Sequence, residues 1–209
     1  MKQLHDMTDS EFKRYVEMHN RKRKKENTKY CIKSTDFKYI NKKTNEIVDK
    51  NEVDLSDKNI VVVHRICALR NIGHKIKKGD LGGYVESDYN LDWDSPSWIS
   101  DNAIVYGKAK VYGKALVKDN SMVYGTSEVY GSAVIKNNAI VCDKAKIMGK
   151  AIIADNSIVY DKASVFGEAM ILGNSDISGK VCIYGNLVIK DMNITQGDYY
   201  LEEELAYVK

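Results

Sequence analysis

The amino-acid sequence predicts a mainly β protein whose second half is a triangular parallel β-helix, and three observations carry that prediction. One six-residue pattern repeats seventeen times from 97 to 198 without an insertion, as in Ala103-Ile-Val-Tyr-Gly-Lys108 followed by Ala109-Lys-Val-Tyr-Gly-Lys114. Position one of each hexad is small, position three is Val or Ile in every hexad but the last, and position five is mostly Gly, Asp or Asn. Residues eighteen apart share chemistry, so three hexads make one coil.

Alternation along a strand places positions one and three on one face and positions two and four on the other. Gly, Asn or Asp at positions five and six suits a sharp corner, where positive φ is tolerated. Three short strands and three corners close a coil of eighteen residues. Seventeen hexads give about 5.7 coils, which at a strand spacing of roughly 4.8 Å stack to about 27 Å. The predicted inward column runs from Ile99 through Val105 and Val141 to Ile189 and ends at Thr195. Each buried aliphatic side chain contributes roughly 1.5–3 kcal/mol before the entropy cost. Position one is Ala or Ser in nearly every hexad because a triangular interior leaves no room for more.

The eighteen-residue columns are visible directly. One corner column reads Asn102, Asn120, Asn138, Asn156, Asn174. At position four one stack reads Tyr112, Tyr130, Met148, Phe166, Tyr184 and another Tyr106, Tyr124, Cys142, Tyr160. Position two carries two apolar lines. Trp98, Leu116, Val134, Ile152, Met170 and Val188 form the first; Ile104, Met122, Ile140 and Ile158 form the second.

The 209 residues divide into an α+β N-terminal region (1–90), the β-helix (91–198) and a C-terminal cap (199–209). Lys and Arg exceed Asp and Glu by three, and the excess sits in the first 96 residues, with twenty basic against sixteen acidic side chains. The repeat is nearly neutral. The four cysteines have no CxxC spacing and read as free thiols of a reducing compartment. With no apolar run of about 18 residues and no signal-like N-terminus, a cytoplasmic protein without membrane insertion is expected.

Thr8-Asp-Ser-Glu11 has the form of a helix start. That helix would run into Arg21, Lys22, Arg23, Lys24 and Lys25, five cations suited to its C-terminal dipole or to an acidic partner. Tyr30-Cys-Ile and Phe37-Lys-Tyr-Ile40 read as two short strands, Asn41 to Asn45 as a turn, and Ile60-Val-Val-Val63 as a buried strand. Lys77 to Glu86 is Gly-rich but lacks GxxxxGK[ST] and GxGxxG, so its glycines are read as a tight turn into the first coil. The tail after 198 is expected to cap an open coil edge.

The hexads resemble the hexapeptide-repeat superfamily, whose members form left-handed parallel β-helices and are often trimeric acyltransferases. Arg65 to Leu69, Gly79 to Glu86 and Trp98 to Ala103 are similar to phage and gut-bacterial proteins labelled putative transferases or polymer-forming proteins. The resemblance implies a left-handed coil and allows a phage-encoded inhibitor of a host system. It does not imply chemistry here: the superfamily's acyltransferases use a histidine base, and His5, His19, His64 and His74 all lie outside the repeat. The three metal-binding histidines of a carbonic-anhydrase relative are absent, and no catalytic residue, cofactor or metal is expected.

The expected function is therefore a noncatalytic scaffold that binds a protein partner or self-assembles as a trimer or dimer. Its alternatives are a trimeric acyltransferase and a nucleic-acid binder. Partner contacts are assigned to Tyr106, Tyr112, Tyr124, Tyr130, Phe166, Tyr184 and to Arg21–Lys25. Oligomer contacts are assigned to Trp98, Leu116, Val134, Ile152, Ile104, Met122, Ile140 and Ile158, because exposed apolar lines mark interfaces. Nucleic acid would be held by the basic N-terminal segment and by bases stacked on the Tyr112 ladder.

Overall fold

The computed structural model describes residues 28–200, which contain strands, turns and loops but no helix. The helix expected from Thr8 and the basic run Arg21–Lys25 lie outside the described residues. Four strands precede the repeat: β1 (Tyr30–Asn41), β2 (Glu46–Val48), β3 (Ile60–Ala68) and β4 (Leu81–Val85). From Trp98 onward the chain folds as a parallel β-solenoid of short strands distributed over three sheets.

Register is set by the eighteen-residue period. Val105 pairs with Val123, Val123 with Val141, and Val141 with Val159, all parallel. The first face stacks the strands at 104–105, 122–123, 140–141, 158–159 and 176–177; the second starts at 110–111 and the third at 98–99. Coils are joined by backbone hydrogen bonds, as from Tyr106 N to Val123 O at 3.1 Å. The position-three column is fully inward, from Ile99 at 0% exposure to Ile189 at 5%. Position one is equally buried from Ser97 to Val181, and its serines are satisfied locally: Ser121 Oγ donates to Lys118 O at 2.7 Å and Ser127 Oγ to Tyr124 O at 2.8 Å. A buried hydroxyl with a carbonyl three residues back is neutral enough to alternate with Ala.

Position five alone carries positive φ, from Asp101 (φ 56°) and Gly107 (φ 69°) to Asp191 (φ 54°). Where the corner is Asp or Asn its side chain also joins coils, as Asn137 N donates to Asp119 Oδ2 at 2.9 Å and Gly173 N to Asp155 Oδ2 at 2.9 Å. One position further on, Asn102, Asn120, Asn138, Asn156 and Asn174 form a side-chain amide ladder with spacings of 3.1–3.5 Å. Its members are exposed.

Four features differ from the sequence reading. First, β1 is one twelve-residue strand rather than two short ones; an irregularity between Ile32 and Phe37 in its pairing with β3 interrupts the pattern that made it look broken. Second, Leu81 to Val85 is a strand, not a turn. It pairs antiparallel with β3 and parallel with the strand at 104–105, so it is both the last strand of the lead-in sheet and the first of the solenoid. Gly82 and Gly83 serve close approach, since a Cβ on Gly83 would lie 2.4 Å from Ala103 O, and one on Gly82 2.5 Å from Ile66 Cγ1. Third, the segment from Asp88 to Pro96, which the sequence reads as an entry loop to the repeat, completes a first coil: Leu91 is fully buried and bridges Val111. Buried Asn90 seats this coil by donating to Gly107 O and Ala109 O and accepting from the Glu86 and Ser87 amides.

Fourth, the frame slips at the end. Ile177 pairs with Ile194, seventeen residues on, so Ile194 (4% exposed) fills the place expected for Thr195, which is exposed. The corner after Asp191 is one residue short, and the Asn ladder has no member beyond Asn174.

Candidate functional site

The three outer faces are distinct surfaces because each stacks every third hexad. On the first face the lead-in sheet covers the opening coil. Ile40, Val61 and Val63 pack on Tyr84, Ile104 and Tyr106, leaving Ile104 2% and Tyr106 3% exposed. Tyr106 Oη donates to Asn45 Oδ1 of the β1–β2 turn at 2.6 Å. Tyr124 stacks below it at 5.1 Å, and Cys142 is buried beneath Tyr124. Burial pushes both phenols well above their ordinary range and the Cys142 thiol up to about 11. Tyr106 and Ile104 are thus internal contacts of the chain, while Met122, Tyr124, Ile140 and Ile158 stay half-buried.

The third face behaves similarly at its start. Trp98 is 2% exposed, in a cluster that includes Ile72 and Ile76 of the 70–76 loop, so it too is an internal contact. Leu116, Val134, Ile152 and Met170 follow half-buried, and Val188 is 58% exposed. These residues form a continuous apolar column.

The second face carries the aromatic ladder. Tyr112 and Tyr130 stack at 4.8 Å with planes 4° apart, and Phe166 and Tyr184 at 5.0 Å with the same angle. Met148 bridges the two pairs, its Sδ lying 3.0 Å from Tyr130 Oη. The spacing is that of adjacent strands, so the solenoid rise itself imposes ring stacking. Tyr200 extends the ladder, 4.9 Å from Tyr184. The eighteen-residue period missed it because Tyr200 follows Tyr184 by sixteen residues.

Three of the lysines beside the ladder have partners. Lys150 forms an ion pair with Glu168 at 2.5 Å, Lys146 approaches Glu128 at 3.9 Å, and Lys110 lies 4.4 Å over the Tyr89 ring. Tyr112 Oη donates to Glu128 Oε2 at 3.1 Å, and burial first, then this carboxylate, raises its phenol. A surface that stacks bases needs cations turned toward phosphate, and here acids interleave with them.

No sequence signal marks Lys29, yet it is fully buried. Its Nζ donates to Asp92 O at 2.5 Å and faces Ser97 Oγ at 3.4 Å, and burial lowers its pKa to about 7. Tyr30 beside it donates to Leu91 O at 2.8 Å, so this pair fastens the lead-in sheet to the first coil. Of the two described histidines, His64 meets the Phe37 ring at a tilt of 58° with a buried Nδ1, and His74 is exposed in the 70–76 loop. Among the described residues no group of three or more His, Cys, Asp or Glu is placed to hold a metal, and no helix is long and apolar enough to cross a membrane.

Neither protein-family models nor curated proteins give a match to this chain.

Proposed function

We propose that the protein is a noncatalytic β-helix scaffold whose outer faces bind a protein partner or a second copy of the chain. The observation that carries this reading is the column Leu116, Val134, Ile152, Met170 and Val188. Four coil rises of roughly 4.8 Å make it a stripe of about 19 Å on a rigid sheet, and contiguous apolar surface of that kind marks interaction sites. The aromatic ladder on the neighbouring face adds amphipathic rings of the type that concentrate at interfaces.

The test is a Val134→Glu, Ile152→Glu double variant of the full chain. Both side chains point outward, so the melting midpoint should stay near that of the unaltered chain. Light scattering and affinity capture should then show loss of self-association or of a captured protein. An unaltered chain that is monomeric and captures nothing, or a variant that assembles and captures as before, would sink the proposal.

A further inference from the structure

A cavity of about 550 Å³ opens between the 70–76 loop and the start of the third face. We propose that it binds a small amphipathic anion, an apolar body carrying a carboxylate or phosphate. The volume is in the range of small-molecule sites. Ile72, Ile76, Trp98 and Leu116 supply the apolar walls, and the loop is held closed by the Ile72–Ile76 bridge, with Ile72 N donating to Ile76 O at 2.9 Å. Lys75, Lys114, Lys118 and His74 are its titratable side chains, and the lining contains no Asp or Glu.

That single sign is what distinguishes the cavity. A 670 Å³ hollow along another corner mixes Asp143 and Asp161 with Lys144, Lys162 and Lys180, and a 450 Å³ one sets Asp88, Asp92 and Glu128 against Lys110. Neither prefers one charge so plainly. Among the described residues Lys118 is the only cation of this wall with a carboxylate partner, Asp119 at 3.4 Å, which lies outside the lining. Lysines around an apolar pocket hold an anionic head as point charges while the floor takes the body.

Trp98 adds a second observation. Its Nε1 is one of two buried side-chain polar atoms with no hydrogen-bond partner among the described residues, and the other, His64 Nδ1, is not part of this wall. Orphaned buried donors are uncommon in folded proteins. The indole N–H of this wall residue also serves as a reporter for the cavity.

The experiment follows the Trp98 indole signal of the full, nitrogen-15-labelled chain by NMR, assigned against Trp93 with a Trp93→Phe variant. Octanoate and phenyl phosphate are titrated in parallel with octan-1-ol, phenol and benzylammonium. Saturable shifts of the Trp98 signal are expected with the two anions only; response to phenyl phosphate alone or octanoate alone would name the head group. A Lys114→Glu, Lys118→Glu variant should bind at least about fivefold more weakly, the scale expected for two partly exposed charges. A Lys144→Glu, Lys162→Glu variant at the other corner should bind as the unaltered chain does. Absence of saturation below about 5 mM, equal binding of the neutral or cationic compounds, or indifference to the Lys114 and Lys118 reversals would overturn the proposal. Leu116 belongs to both this wall and the apolar column, so no variant here touches it, and the outcome is independent of the scaffold reading.

Discussion

Gly131→Ala tests what holds the solenoid at a corner where successive coils touch through backbone alone. Gly131 has φ +70°, and a Cβ built on it would meet Gly149 N at 2.8 Å and Gly149 O at 2.9 Å, both backbone atoms of the next coil. Two costs add. The left-handed conformation costs a residue with a Cβ about 1–2 kcal/mol, and forcing extra volume into a packed contact costs about 1–3 kcal/mol. The sum, about 2–5 kcal/mol, corresponds to a fall in melting midpoint of about 4–20 °C for a chain of this size. Asn137→Gly is the matching control. It keeps the φ of 59° accessible and removes only the acceptor for Asp155 N at 3.3 Å, at about 0.5–1.5 kcal/mol. Thermal and urea unfolding of both variants decide the matter. A Gly131→Ala midpoint within about 2 °C of the unaltered chain would refute the claim that coil contact at this corner forbids a side chain.

Val141→Asp places an unpaired carboxylate at a fully buried position and should cost about 4 kcal/mol or more; an unchanged midpoint would mean that Val141 does not face the interior. Lys29 is buried with its pKa lowered from 10.5 to about 7, so between those values the unfolded chain binds a proton that the folded chain does not. Stability should therefore rise with pH across that window by up to about 1.4 kcal/mol per pH unit, and subtracting the pH profile of a Lys29→Met variant should reveal that rise. A flat difference would show that Lys29 is not held in this environment. Cys142 is buried with its thiol raised to about 11, whereas Cys31 is exposed. A thiol reagent at pH 8 should therefore modify Cys31 in seconds to minutes and reach Cys142 only at the rate of unfolding, as peptide mapping by mass spectrometry would record.

The solenoid was legible because one period governs every level of it. Hexad spacing determines which side chains turn inward, and three hexads per coil determine which residues touch, so Val105, Val123 and Val141 could be aligned from their numbers alone. The edges of the repeat were not legible for the same reason. Leu91 lies in a coil whose third strand is delayed by the segment around Pro96, and Ile194 occupies a place that strict counting gives to Thr195. A period cannot announce its own interruption.

The surface was legible in composition and only partly in exposure. Alternation identifies Trp98, Ile104 and Tyr106 as outward from the sheet, which they are. It cannot show that Ile72, Ile76, Ile40, Val61 and Val63 fold back over them, because those contacts join residues far apart in the chain with no shared pattern. Lys29 carried no signal at all: a lysine before a strand reads as solvated until Asp92 and Ser97 are seen around its ammonium group.

The corner that loses one residue after Asp191 shows how insertions and deletions act on this architecture. Because each hexad turns the chain by a third of a revolution, adding six residues ahead of Tyr112 would carry the whole aromatic stack onto an adjacent side of the prism. Adding eighteen would return it to the same side, displaced along the axis by a single step of roughly 4.8 Å. The molecule is thus indexed like a screw thread: evolution or an engineer can lengthen it by whole turns without rotating its outer faces, while increments that are not multiples of six break the register between them.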